Sequence, residues 1–267
     1  AIMLGTVDRM RVGAVLNVQA DHLGLKGIDT LQQLAKVKRV VVEVAMDAAV
    51  LNAADPAVVA MAPHCPGSVT FFAQDGHHPV IATHMAQGKR VVFVDHGDIV
   101  CVEGGFMKRL PLARVPLTRK GQIGFQVENT MASVAAAWAV GLSWDVIQKG
   151  LSSFISDLHG VPGRFNVFDY RGATVIADYG HNPDAIAALV AGVENMTAER
   201  RSVVISGAGD RRDEDIRGQT RILGSAFDSV VLYQDACQRG RADGEVLALL
   251  RQGLQGARRT RNVVEIQ

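Results

Sequence analysis

Toward its C-terminal end the chain alternates between two kinds of segment, and that alternation is its strongest constraint. Ala173 to Asp178, Val203 to Ser206, Val230 to Tyr233 and Val263 to Ile266 are short apolar runs rich in β-branched residues. Pro183 to Met196, Glu214 to Phe227 and Gly244 to Leu254 carry the spacing of helices. Repeated strand–helix–strand units close by right-handed crossovers, so the pattern predicts a parallel, doubly wound sheet. Such sheets bind ligands at the carboxyl edge of their strands. Two polar loops fall at that edge: Ala177-Asp178-Tyr179-Gly180-His181-Asn182-Pro183-Asp184 and Ser206-Gly207-Ala208-Gly209-Asp210-Arg211-Arg212-Asp213.

In the first loop His181 and Asn182 offer a titratable ring and an amide, and Pro183 starts a helix whose N-terminus favours anions. Asp178 and Asn182 would equally serve as caps of that helix. In the second, Gly207-Ala208-Gly209 lets a backbone approach a ligand closely, or simply makes a tight turn. Arg211-Arg212, Arg239-Gly240-Arg241 and Arg258-Arg259 are either solvated faces or, at strand ends, clamps for a carboxylate or phosphate.

Upstream, Arg164 to Tyr170 and Ala173 to Asp178 flank Arg171-Gly172 as a hairpin. Val161-Pro162-Gly163 breaks the preceding pattern, which sets a domain boundary near Gly160, between residues 1–159 and 160–267. In the first part, Val12 to Val18 reads as a strand buried on both faces, followed by polar Gln19-Ala20-Asp21-His22 and a helix opened by Thr30. Ala49 to Asn52 is a second strand, and Pro56 starts a short helix. Val69 to Phe72, Val80 to Thr83, Arg90 to Val94 and Ile99 to Val102 are β-type runs between glycines, so this portion is expected to be antiparallel and hairpin-rich. Asp95-His96-Gly97-Asp98 reads as a hairpin turn. Glu128 to Val140 is helical, and Ser143 caps a further helix.

The chemistry of this first part is less marked. His22 beside Asp21 can ligate a divalent cation or make a structural hydrogen bond. His64, His77, His78 and His84 are expected to be solvated or structural. Cys65, Cys101 and Cys237 are scattered and odd in number, with no CxxC, which excludes a disulfide framework and predicts small core residues in a reducing compartment.

A formal net charge of +1 argues against a protein that binds nucleic acid by phosphate neutralisation. No apolar run reaches the roughly 18 residues of a membrane span, and residues 1–11 lack the order of a signal peptide, so a cytoplasmic protein without membrane contact is expected. A start at Ala1 rather than Met suggests part of a longer chain.

Several segments together resemble the Mur ligase superfamily of ATP-dependent amide ligases. Asn17-Val18-Gln19-Ala20-Asp21-His22-Leu23 is similar to its central-domain metal motif, and Glu128-Asn129-Thr130-Met131-Ala132 to its Asn-bearing helix near adenine. Val161-Pro162-Gly163-Arg164-Phe165 and Asp178 to Pro183 resemble the opening of its C-terminal domain. Within the superfamily, the run from His22 to Leu31, Val50 to Pro56, Gly207 to Asp215 and Arg239-Gly240-Arg241 are similar, in order, to the Mur-ligase-like half of the cyanophycin synthetase family.

The resemblance implies an α/β architecture: a partial Mur ligase central domain followed by a Rossmann-like C-terminal domain with a parallel-rich sheet, short of its last elements. It implies ATP and Mg²⁺ as cofactors. His22 would be the magnesium ligand and Lys38, or alternatively Lys36, the lysine that several Mur ligases carbamylate. Asn129, Arg164 and Asp178 would contact the adenine and ribose of ATP, and His181 and Asn182 its phosphates, with Lys38 and His181 as catalytic residues. Asp210, Arg211, Arg239 and Arg241 would hold the incoming amino acid. The implied reaction turns a carboxylate into an acyl phosphate and joins an amine to it, adding arginine to the aspartate side chains of an acidic peptide polymer. Another Mur ligase of the cell-wall or folylpolyglutamate type, or a non-catalytic nucleotide-binding module, is the alternative. A homo-oligomer is expected. The chain has no GxxxxGK[ST] phosphate loop, and the superfamily's loop and metal-binding glutamate precede the region that begins here, so the stretch alone is expected to be inactive.

Overall fold

A computed structural model describes residues 8–21, 23, 24 and 26–266. The chain forms two compact units, Ala1–Ala20 with Asp29–Ile155, and Asp21–Ile28 with Ser156–Gln267. The break at 155/156 lies a few residues before the Val161-Pro162-Gly163 interruption, and a short piece of the N-terminal half goes with the second unit.

The first unit runs β1 (Met10–Val15), α1 (Leu31–Glu43), β2 (Ala45–Asn52), α2 (Pro56–Val59), β3 (Ser68–Asp75), α3 (Pro79–Ala86), β4 (Val91–Asp95), β5 (Asp98–Glu103), β6 (Phe106–Pro111), α4 (Gly124–Val140) and α5 (Trp144–Ser153). Its six described strands lie in sequence order, β1 to β4 parallel and β4 to β6 antiparallel. The pleat sends Val50, Phe72, Val92, Ile99, Cys101 and Leu110 into one core, against Val127, Met131 and Trp138 of α4. Alternate residues face the other way, where Phe71 meets the His84 ring of α3 edge-on, centroids 4.9 Å apart. On that face a Cβ on Gly13 would lie 2.6 Å from the carbonyl oxygen of Val41, so α1 can seat on β1 only because position 13 has none.

Local sequence explains most of these elements. Thr30 accepts from the Gln33 amide while the Gln33 side chain takes the Thr30 amide, a reciprocal cap that fixes the start of α1. Asp55 caps α2 ahead of Pro56, and Ser143 caps α5. His96 and Gly97 take left-handed backbones, φ 48° and 81°, and close the β4–β5 hairpin as expected.

Three expectations for this unit are corrected. The doubly buried strand is β2, buried from Ala48 through Asn52, whereas β1 starts earlier than expected, at Met10, pairs only with β2 and leaves Arg11 and Ala14 exposed. Val80 to Thr83 is not a strand: Pro79 opens α3 there, with the His78 ring capping the Val80 amide. Its β-branched content was outweighed by a proline at the first helical position. That helix makes β3–β4 a parallel crossover, so only β4 to β6 is antiparallel. β6 had not been expected; Lys108, Arg109 and Pro111 mask its period.

The second unit begins with a two-stranded ribbon, β7 (Asn166–Tyr170) and β8 (Ala173–Ala177), followed by α6 (Pro183–Glu194), β9 (Ser202–Ile205), α7 (Asp213–Ala226), β10 (Ser229–Tyr233), α8 (Glu245–Gly253) and β11 (Asn262–Ile266). The last three strands pair in parallel in the order β11-β10-β9. Ile205, Val230 and Leu232 are buried against Ile186, Ile216, Leu223, Val246 and Leu250 of the three helices. The sheet is parallel as expected, but not covered on both sides by the described helices. Val204 is 63% exposed, and Val264 and Ile266 are exposed with it. Both described crossovers progress in one direction along the sheet, and with one handedness they place α7 and α8 on one face.

Among the cysteines, Cys101 is buried and its thiol is pushed up to about 12 by desolvation, Cys65 is half-buried, and Cys237 is exposed. The expectation of core residues fails at Cys237, which lies in the polar connection after β10. His84 fits its structural reading: it is buried, its Nε2 is 2.8 Å from the Val69 carbonyl, and burial lowers its pKa. No described helix is long and apolar enough to cross a membrane.

Candidate functional site

In the first unit the expected residues lie near the carboxyl edge of the parallel strands. Lys38 is half-buried on α1, and its Nζ donates to the carbonyl oxygen of Asn17, 3.1 Å away, in the loop that leaves β1. Lys36, two residues earlier on the helix, is exposed. The same loop is held from the other side by Asp55, whose Oδ2 accepts from the Val18 amide at 2.6 Å while its Oδ1 caps α2. Asp55 was not singled out from sequence beyond its place in a turn. The pattern of an acid immediately before Pro56 signalled a cap, and its second bond spans 37 residues.

Asn129 lies in the second turn of α4, which packs on the opposite face of the sheet from α1. Its Nδ2 donates to Gln126 Oε1 at 3.1 Å. One residue before it, Glu128 accepts from Gln74 Nε2 at 3.0 Å and fastens the start of α4 to the end of β3. His22 lies outside the described residues. No three side chains among His, Cys, Asp and Glu stand together as metal ligands among the described residues.

In the second unit the loop from Val161 to Asn166 is built around Asn166, which is 1% exposed. Its Oδ1 accepts from the amides of Gly163 and Arg164, and its Nδ2 donates to Ser156 Oγ and the Val161 carbonyl. All the hydrogen-bonding capacity of that amide is engaged. Asn166 was missed because its partners surround it only once the loop has closed; the nearby Pro162-Gly163 turn was the signal at hand. Arg164 itself is exposed and faces no carboxylate among the described residues.

Asp178, at the end of β8, accepts from the Phe165 amide at 2.9 Å through Oδ2 and from the Gly180 amide at 2.7 Å through Oδ1. Asn182 caps α6 by accepting from the Ala185 amide at 2.8 Å. The capping reading therefore holds for Asn182. For Asp178 it takes another form: that carboxylate ties two loops together. His181 Nδ1 is 3.1 Å from the Tyr179 carbonyl, and its Nε2 is 3.9 Å from Asp21 Oδ2.

The second loop closes a circuit with the first. Arg211, with only 5% of its side chain exposed, has Nε 3.4 Å from Asp21 and an η-nitrogen 3.3 Å from Asp210. Asp210 also takes Arg239 at 3.2 Å, and Arg239 reaches the Tyr179 hydroxyl at 3.5 Å. Asp21, His181, Tyr179, Arg239, Asp210 and Arg211 thus form one ring of polar contacts, with two carboxylates balancing two guanidiniums. Arg241 stands behind it. Its Nε donates to the Gly209 carbonyl and an η-nitrogen to the Arg211 carbonyl, both at 2.7 Å, and it pairs with Asp213 and Glu245. Gly209 is required by this arrangement, since a Cβ there would lie 2.1 Å from the Gln238 carbonyl oxygen. Next to the turn, Ser206 Oγ is buried with no hydrogen-bond partner, a hydroxyl at the strand end that a ligand could satisfy.

The structure therefore brings Asp178, His181, Asn182, Asp210, Arg211, Arg239 and Arg241 to one edge of the second unit, as the βα pattern implied. The arginines are not idle clamps: each already faces a carboxylate. Arg259, of the third basic group, binds Asp228 in bidentate fashion at 3.0 Å and is structural.

Comparison with known proteins agrees with this geometry. Residues 163–266 match the family model described as Mur ligase, glutamate ligase domain. The chain is 38% identical over 246 residues to cyanophycin synthetase of Geminocystis herdmanii (strain PCC 6308), covering 91% of this chain and 28% of that protein. It is 32% identical over 231 residues to UDP-N-acetylmuramoylalanine–D-glutamate ligase of Desulfitobacterium hafniense (strain Y51), covering 85% of this chain and 46% of that protein. The fold is similar to that of Mycobacterium tuberculosis folylpolyglutamate synthase complexed with ADP and AMPPCP, with a TM-score of 0.64 at 19% identity over 96% of this chain and 55% of that one. The chain spans less than a third of the length of the cyanophycin synthetase it matches.

Proposed function

Because this chain belongs to the Mur ligase superfamily, we propose that it is part of an ATP-dependent amide ligase that adds arginine to the aspartate side chains of an acidic peptide polymer. The observation that carries the reading is that similarity to cyanophycin synthetase runs across both units, rather than through the C-terminal domain alone. In the proposed reaction a carboxylate oxygen takes the γ-phosphoryl group of ATP, ADP leaves, the amine attacks the acyl carbon, and phosphate departs as the amine loses a proton.

The residues of this chain support that reaction by binding and orienting. Asp178 and Asn166 fix the loop that carries Arg164, which the resemblance assigns to the nucleotide together with Asn129. His181, held through Nδ1 by the Tyr179 carbonyl, has a defined ring orientation toward the phosphate-facing role proposed for it and Asn182. Lys38, proposed as the catalytic lysine, is anchored at the loop after β1. Asp210, Arg211, Arg239 and Arg241 are proposed to hold the amino acid. In that role Asp210 is the group suited to a guanidinium, since a cationic side chain entering the ring can replace Arg239 on its carboxylate.

A second reading, a glutamate-adding ligase, is favoured by the identity to the D-glutamate ligase. The complete protein should be incubated with ATP, a β-Asp-Arg primer, and arginine, aspartate or glutamate in turn, following ADP release and product mass. ADP release requiring primer and arginine is expected. Release that needs glutamate, or neither amino acid nor primer, overturns the proposal.

A further inference from the structure

Tyr179 is 58% exposed, yet its backbone is fixed on both sides: its amide donates to the Gly163 carbonyl at 2.9 Å, and its own carbonyl faces His181 Nδ1 at 3.1 Å. The phenol therefore stands out from the edge of the second unit rather than in its core. Tyr170 is exposed to the same degree, 57%, but its ring meets the guanidinium of its chain neighbour Arg171. The Tyr179 hydroxyl instead accepts from an η-nitrogen of Arg239, 60 residues away in the chain, at 3.5 Å. The other η-nitrogen of the same group lies 3.2 Å from Asp210 Oδ1. One planar guanidinium thus spans a phenol oxygen and a carboxylate.

That guanidinium is easily exchanged. The side chains of Arg239 and Asp210 are 40% and 33% exposed, and an ion pair so open to water contributes little. Arg239 also sits on a left-handed backbone, φ 49°, which a residue other than glycine rarely adopts. Arg211, 5% exposed and 3.3 Å from Asp210, stays on that carboxylate from the buried side.

We propose that Tyr179 and Asp210 together receive the guanidinium of the incoming arginine, and that Arg239 occupies their place when that substrate is absent. The inference rests on the arginine-adding reading and names within it a residue that sets specificity. An arginine fork presents separate nitrogens to two acceptors, whereas lysine gathers its donors on one nitrogen. The hydroxyl therefore favours arginine over lysine, while Asp210 attracts both. A glutamate side chain would set its carboxylate against Asp210, so the same pair disfavours the acid.

The test is titration calorimetry of L-arginine and of L-lysine into the complete protein, with ADP and a β-Asp-Arg primer present. Y179F keeps the ring and both backbone bonds and removes the hydroxyl alone. It should weaken arginine about tenfold, the loss of one hydrogen bond to a charged group, and leave lysine nearly as in the parent. The affinity for ADP and the unfolding midpoint should not move. Unaltered arginine binding in Y179F overturns the proposal, as does a parent that binds lysine as tightly as arginine, or binds no arginine. A fall in ADP affinity equal to that for arginine places the phenol on the nucleotide and overturns it too. Failure of the ligase reading looks different. Arginine bound through Tyr179 without arginine-dependent ADP release sinks that reading and leaves the site, whereas arginine-dependent release with equal arginine affinity in Y179F and parent sinks the site alone.

Discussion

Arg241 donates through Nε to the carbonyl oxygen of Gly209 at 2.7 Å, so a side chain from the loop after β10 holds the backbone of the loop after β9. The same guanidinium bonds the Arg211 carbonyl and the Asp213 carboxylate. What reads in sequence as one of several ligand-seeking arginines is, in the folded chain, the brace behind the site.

Removing that brace should cost stability as well as shape. R241A leaves two backbone carbonyls and two carboxylates short of a partner, and about 1–3 kcal/mol is expected from such groups. Urea unfolding would measure it. R241K should recover little, because an ammonium cannot span the same acceptors as a planar fork. A lysine variant as stable as the parent would sink this account.

Gly209 should not tolerate a methyl group. Its Cβ would lie 2.1 Å from the Gln238 carbonyl oxygen, and backbone cannot rotate away as a side chain can. G209A is expected to lose about 1–3 kcal/mol through overpacking and to loosen the proposed amino-acid site. At Gly240, φ 91°, a Cβ meets nothing within 4 Å, so G240A carries only the cost of its left-handed backbone, about 1 kcal/mol. Equal losses at the two positions would contradict the close approach.

Asn166 is the residue on which the 161–166 loop depends. N166A removes four hydrogen bonds at a buried position and should cost about 2–4 kcal/mol. N166D should fare nearly as badly, since an ionised carboxylate cannot donate to Ser156 and Val161. Thermal unfolding with rapid amide exchange at Gly163 is the expected signature.

Asp228 gives the second unit an acid-sensitive lock. The Arg259 guanidinium and the Arg201 amide hold its carboxylate at about 2, below the ordinary 3.8. A depressed carboxylate stabilises the fold fully above its unfolded value and loses that contribution as pH falls toward the folded one. The melting temperature should therefore decline between about pH 4 and pH 2, and D228N should flatten that part of the profile. An unaltered slope in D228N would assign the acid sensitivity elsewhere.

H181A should reduce ligase turnover in the complete protein while preserving the fold. The ring bonds one backbone carbonyl and approaches one carboxylate, a small share of the packing. Unchanged turnover would remove His181 from the proposed phosphate role.

Much of this was legible locally. Thr30, Ser143 and Asn182 announced their helices because a cap needs only partners two or three residues away, and His96-Gly97 announced its turn because left-handed backbone is a property of the residues themselves. The parallel sheet of the second unit followed from spacing for the same reason. Val80 to Thr83 misled because β-branched residues mark strands only on average, and Pro79 with the His78 ring decided the matter locally in favour of a helix.

Sequence by itself determined which residues stand at the carboxyl edge of the strands, since period and punctuation place every loop: Asp178 to Asn182 after β8 and Gly207 to Asp213 after β9. Only tertiary structure decided what those residues bond to. The pairing of Arg239 with Asp210, the bond from Arg241 to Gly209 and the closure around Asn166 depend on residues meeting across 2 to 32 positions of chain, and on Asp21 joining Arg211 from the far end of the sequence. Hydrogen bonds and ion pairs act over a few ångströms of space and carry no record in the spacing of residues. Period shows the edge; the fold alone assigns partners along it.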